Sequence, residues 1–199
     1  HKTIYRWLYE GYVAKGILKV LRKKGKTRKR LGNGGRFTTG KSIRKRDKSV
    51  YKRNEFGHWE AATVVSGRGK TSACFATLAE RKTRFYIAIK LPDRKGSTLA
   101  KAVITALSQL PKGAVKTITC DRGSEFANRR EIESALNCQM YFADPYCAWQ
   151  KGTNENLNGL LREFYPKGQN LSRVSPKTLE KNLVLINARP KKILNFQKP

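Results

Sequence analysis

Ala114-Val115-Lys116-Thr117-Ile118-Thr119-Cys120-Asp121 is an apolar run that closes on a carboxylate, and Arg122-Gly123-Ser124 follows it with a turn signal. A short apolar run bounded in this way predicts a buried strand. Asp121 is then expected on the C-terminal rim of a sheet, where open α/β folds bind their ligands. Thirty-three residues further on, Glu155 stands inside Gly152-Thr153-Asn154-Glu155-Asn156.

Two such carboxylates are unexpected in a chain this basic. The 199 residues hold 43 Lys/Arg against 14 Asp/Glu, a net charge of +29. That excess goes beyond what solubility requires and points to a polyanion, by default nucleic acid. The charge is uneven. Residues 1–54 contain 19 basic and two acidic residues, and residues 55–199 contain 24 and twelve. The N-terminal quarter therefore reads as a basic arm. An anionic membrane would attract the same charge, but the arm lacks an amphipathic apolar face, and no apolar run approaches the ~20 residues of a spanning helix. A purely architectural nucleic-acid binder would suit the arm, yet such a protein has no use for rim carboxylates that repel phosphate. Cys74, Cys120, Cys138 and Cys147 have no Cys-x-x-Cys spacing, and His1 and His58 are the only histidines. A zinc site is therefore unsupported, and the cysteines read as reduced thiols filling a core in a cytosolic protein.

The order of elements around the opening stretch suggests the fold. Thr3 to Tyr9 has i,i+4 apolar spacing with Thr3 as N-cap and reads as a short helix. Residues 22–54 are expected to be extended until a polyanion neutralises them. Runs at 61–66, 73–78 and 84–91, joined by tight connections, read as an antiparallel meander. Ser97 to Leu110 reads as a helix with Ser97 as N-cap, stopped by Pro111. The strand ending at Asp121, a helix over 128–136, a strand over 139–143 and a helix over 153–164 complete the series. The predicted class is α/β, a ribonuclease H-like mixed five-stranded sheet flanked by helices with a basic N-terminal arm. The expected divisions are 1–21, 22–54 and 55–199. In that order the first strand lies beside the fourth, and the last helix starts over the same rim, so position 62 would meet Asp121 and Glu155. Carboxylates converging from separate elements are what two-metal phosphodiester chemistry requires, holding two Mg²⁺ ions ~4 Å apart.

Gly57-His58-Trp59-Glu60, Thr119-Cys120-Asp121-Arg122-Gly123-Ser124-Glu125-Phe126, Phe142-Ala143-Asp144-Pro145-Tyr146, Trp149-Gln150-Lys151-Gly152-Thr153-Asn154-Glu155-Asn156 and Asn187-Ala188-Arg189-Pro190 resemble bacterial DDE transposases of the insertion sequence 30 family. The resemblance covers nearly the whole chain. It implies that Asp121 and Glu155 bind two Mg²⁺ (or Mn²⁺) ions. Water would hydrolyse one strand at the element's end, and the freed 3′-OH would attack target DNA. It also implies a homodimer acting on double-stranded DNA, both terminal inverted repeats and target, in the bacterial cytoplasm at the nucleoid. Helix-turn-helix elements would precede residue 1, with residues 1–21 as their remnant and Tyr5 and Arg6 as DNA contacts. The family pattern has Asp two residues after Glu60, where this chain has Ala62. The first catalytic position is thus expected to be disabled, as an Asp→Ala replacement that traps a DNA complex would leave it. Glu60 shares the face of position 62, since side chains alternate, but the family carries that Glu as well.

The remaining DNA contacts expected are Arg22, Lys23, Lys24, Lys26, Arg28, Lys29 and Arg30 in the basic run, and Arg44, Lys45 and Arg46 beyond it. Around the rim, Gln150, Lys151, Asn154 and Asn156 are expected to bond the substrate. Trp149 would stack on an unpaired base or else cap the core. Arg162, seven residues after Glu155 on one helix face, is expected at a phosphate. Glu125 reads as a charge at a helix N-terminus rather than a metal ligand, and His58 as a residue ordering the first strand. Another ribonuclease H-like nuclease or a retroviral-type integrase is the competing enzymatic reading.

Overall fold

The computed structural model of the chain describes residues 2–17 and 40–199. The basic run from Arg22 to Arg30 lies outside the described residues. The chain divides into two units, His1–Asn33 and Gly34–Pro199. In the first, the helix expected at Thr3 is α1 (Lys2–Tyr9), with Tyr5 and Arg6 exposed. The Tyr12 N–H donates to the Trp7 carbonyl at 2.8 Å and closes the helix.

In the second unit, six strands among the described residues form one mixed sheet in the order β1-β6-β5-β2-β3-β4. They are β1 (Lys41–Ser42), β2 (His58–Val65), β3 (Cys74–Glu80), β4 (Tyr86–Leu91), β5 (Thr117–Cys120) and β6 (Gln139–Phe142). The meander β2-β3-β4 is antiparallel, and β5 lies parallel to both β2 and β6. Helices α3 (Gly96–Ser108) and α4 (Arg129–Leu136) cover one face; α5 (Gly152–Phe164) and α6 (Pro176–Asn187) cover the other. β3 explains why its sequence shows no alternation. Cys74, Ala76 and Leu78 enter the core with Leu99, Val103 and Leu107 of α3, while Phe75 and Ala79 enter the second core with Leu157 and Leu161 of α5. A strand buried on both faces needs apolar residues throughout. Each fully buried Leu of these helices contributes roughly 1.5–3 kcal/mol in transfer from water.

The expected segments for the five longer strands and for α3 to α5 hold within a few residues. Helix α3 begins at Gly96, so Ser97 lies inside it rather than capping it. Helix α6 was not expected. Ser175 caps it, accepting from the Thr178 N–H, with Pro176 in the first turn; this start signal is readable in the sequence.

The expectation of an extended arm over 22–54 needs correction in its last third. Residues 41–52 form β1, a 3₁₀ turn over Ile43–Lys45 and a short α2 (Ser49–Lys52). β1 pairs in parallel with β6, and Ile43 and Val50 are buried. The basic residues concealed two apolar anchors placed at a spacing that a turn could bury. If the segment is structural, Ile43→Ala should cost about 2–4 kcal/mol in urea unfolding, the range for emptying a buried aliphatic site. A loss below about 0.5 kcal/mol would return the segment to a loose arm.

Candidate active site

The site grows from the parallel ladder between β2 and β5, whose last pair is Glu60 with Thr119. Ala62 stands two residues further along β2, and Asp121 directly follows the end of β5. Gly57 sets the start of β2. Its φ of +106° suits glycine, and its carbonyl accepts from the N–H groups of Lys116 and Thr117 at 2.8 and 3.2 Å, fixing the β2–β5 register.

The first turn of α5 is fastened over this ladder by Asn154. Its N–H donates to Glu60 Oε2 at 2.8 Å, and its Nδ2 donates to the carbonyls of Glu60 (2.7 Å) and Thr77 (3.2 Å). Thr77 pairs with Ala62 across β2 and β3, and its hydroxyl donates to the Ala62 carbonyl at 3.1 Å. Glu155 follows Asn154 in the first turn of α5 and is half-buried. Four residues before it, the Lys151 Nζ donates to Asp121 Oδ2 at 3.0 Å and to the Ala61 carbonyl at 3.3 Å. Asp121 is thus bonded to Lys151, the residue directly before α5.

Beneath the rim lies a buried charge cluster. Glu60, fully buried, forms an ion pair with Arg81 in addition to accepting from Asn154. Arg46 donates to Thr119 Oγ1 at 2.8 Å and stacks on the Tyr51 ring. Arg84 donates to Thr153 Oγ1 at 2.6 Å. Burial, and next the neighbouring Arg53, pull the Arg84 guanidinium down to about 10. Burial and then Arg81 lower Arg46. Glu60 and Arg84 hold the first turn of α5 against the sheet.

Several expected DNA contacts are corrected by this arrangement. Arg46 and Asn154 are only 3% and 1% exposed and bond within the protein. Gln150 is also occupied: its Oε1 accepts from the Asp144 N–H at 2.7 Å and its Nε2 donates to Asp144 Oδ2. That bond, followed by Arg44, holds the Asp144 carboxyl below the usual carboxylate range. Arg162, half-buried, donates to the carbonyls of Val65 (2.8 Å) and Tyr165 (3.3 Å). Arg44, Lys45 and Asn156 are exposed. Trp149 is 72% exposed and so does not cap the core; Tyr146 beside it is 77% exposed in a left-handed conformation. Glu125 lies at the first turn of a 3₁₀ helix, bonded to Thr63 and Arg94. His58 bridges Thr117 and Glu55 at the start of β2. Burial raises the thiols of Cys74 and Cys138 to about 11 and about 12, so both are protonated core groups at neutral pH. Sequence reasoning missed Glu60 as the anchor of α5. Its face was legible, but its partner Arg81 lies across a hairpin.

The donor set does not fit a two-ion centre. Among the described residues no three His, Cys, Asp or Glu side chains stand together as a metal could use them. Position 62 offers a methyl group, Glu60 is taken by Arg81 and Asn154, Glu125 faces Arg94, and Asp121 already has an ammonium partner.

A mixed sheet with a parallel β2–β5 ladder, helices on both faces and acidic residues on its rim defines the ribonuclease H-like class. Residues 52–148 match the integrase core domain family. The relatives the chain is similar to are transposases of the insertion sequence 30 type. The chain is 36% identical over its full length to the transposase for insertion sequence element IS4351 of Bacteroides fragilis, 62% of which is covered. It is 34% identical, over 98% of its length, to a probable transposase for insertion-like sequence element IS1161 of Streptococcus salivarius, covering 56% of that protein. Transposase InsI of element IS30A from Escherichia coli K12 is 33% identical over 88% of this chain and is 45% covered. The chain thus spans about half to three-fifths of these relatives. The fold also matches a chain of a simian T-cell lymphotropic virus intasome, solved with PP2A regulatory subunit B56 gamma, at a TM-score of 0.55 and 17% identity, over 66% of this chain and 48% of that one. Among the described residues no helix is long and apolar enough to cross a membrane.

Proposed function

We propose that the chain is the core of a DNA transposase that binds transposon ends and target DNA, with strand cleavage and 3′-OH transfer disabled at Ala62. The observation that supports this reading is the β2–β5 register, whose last pair, Glu60 with Thr119, lies two residues before Ala62 and Asp121, together with the bond from Asn154 of α5 to Glu60. A polynucleotidyl transferase of this class needs acidic groups from separate elements at one point on the rim. Here two of the three elements supply a carboxylate and β2 supplies a methyl group. With a carboxylate at 62, a divalent cation would be the natural counter-charge for the cluster. Without it, the net charge of +29 still favours DNA. Pairing two transposon ends requires two copies, so the working form in this reading is a homodimer.

Titration of a duplex carrying the end sequence of the element that encodes the chain tests the binding half. Displacing counterions from around eight phosphates makes affinity fall by ~10³ or more between low and physiological salt. End-sequence DNA should also bind more tightly than random duplex. A chain that binds both equally, with a shallow salt slope, is not an end-recognising core.

A further inference from the structure

We propose that the Lys151 ammonium is the standing counter-charge of Asp121, held where a chain with a carboxylate at position 62 would hold a cation, so that this chain engages DNA without divalent metal. The inference rests on the reading of the chain as a DNA-binding transposase core. Its basis is the pairing of charges around the rim. Glu60 has Arg81, Glu125 has Arg94, Asp144 has Arg44, and Asp121 has Lys151. The Lys151 side chain is 11% exposed, whereas that of Asp121 is 52% exposed. The cation is thus held inside while the carboxylate faces the solvent from which DNA arrives.

Both oxygens of Asp121 are placed. Oδ2 accepts from Lys151 at 3.0 Å and Oδ1 from the Gly123 N–H at 3.2 Å. Arg122, next in sequence, is not the alternative cation, because its Nε donates to the Ala143 carbonyl at 3.3 Å and its Nη2 lies 3.9 Å from Asp144. Lys151 is fixed from behind by the Ala61 carbonyl, directly before Ala62. Its ammonium therefore lies between β2 and β5, next to the position where the missing carboxylate would project. A bare Asp121 would repel an approaching phosphate; a neutralised one does not. In this arrangement Lys151 is a positioning residue: it acts on DNA through Asp121.

The test is the affinity of the full chain for the end-sequence duplex, measured by fluorescence anisotropy in Mg²⁺ and in EDTA at matched ionic strength. The unaltered chain should bind equally in both buffers. Lys151→Met should bind about five- to tenfold more weakly in EDTA and recover in Mg²⁺, because the cation then neutralises Asp121. Lys151→Arg should behave as the unaltered chain. Arg122→Met, which removes a nearby charge but not the Asp121 partner, should lose the same small factor in both buffers. Thermal unfolding of each variant separates a folding defect from a binding defect. The proposal is overturned if Lys151→Met weakens binding equally in Mg²⁺ and EDTA, which is the behaviour of a plain phosphate contact. It is also overturned if that variant binds as the unaltered chain does, or if the unaltered chain itself requires Mg²⁺. Failure of the transposase reading would register elsewhere, as the absence of end-sequence preference.

Discussion

Ala62→Asp is expected to nick and join end-sequence DNA in Mg²⁺ at about 10³ times the rate of the unaltered chain or more, the scale on which losing one member of a catalytic set acts. The reasoning is geometric. Position 62 lies two residues beyond the Glu60–Thr119 pair, half-buried at the rim, so a carboxylate there comes from a strand ~5 Å from that of Asp121. Two carboxylates at that separation repel unless a cation stands between them. The single ammonium of Lys151 cannot neutralise both, so a divalent ion becomes the better counter-charge. The gain should vanish in EDTA and in the Ala62→Asp, Asp121→Asn chain. A restored chain that binds end DNA as tightly as before yet cleaves nothing would refute position 62 as the disabling site, and with it the catalytic half of the proposed function.

Glu60→Ala should have the largest effect on stability, about 3–5 kcal/mol in chemical unfolding. Glu60 is completely buried, and its two oxygens meet Arg81 and the Asn154 N–H. Removing it leaves the Arg81 guanidinium buried and uncompensated and frees the first turn of α5. The loss is a large share of the roughly 5–15 kcal/mol that a domain has. Glu60→Gln, which keeps an acceptor for Asn154, should lose less. A Glu60→Ala chain within about 1 kcal/mol of the original would mean that α5 is held by its leucines alone.

Much of this protein was legible in the chain. The run ending at Asp121 marked a rim, the Gly-Thr-Asn-Glu-Asn block marked the start of a helix over it, and the meander followed by alternating helices and strands gave a topology with the first strand beside the fourth. These are local signals, carried by periodicity and by turn and cap residues within a few positions of one another. The methyl group at position 62 is equally a fact of sequence.

What the sequence left open was which charges are free. Arg46, Asn154 and Gln150 read as DNA contacts because they are polar residues in a basic, DNA-like context, and the fold engages all three internally. Their partners are remote: Arg46 meets Thr119 73 positions away, and Asn154 meets Glu60 94 positions away. Lys151 reaches Asp121 across 30. The fate of a charge depends on what desolvates and neutralises it, and those neighbours are assembled only when β2, β5 and α5 pack together. The chain by itself determined the strand that ends at Asp121 and the alanine at position 62; only the tertiary structure decided that the Lys151 ammonium stands against the Asp121 carboxylate.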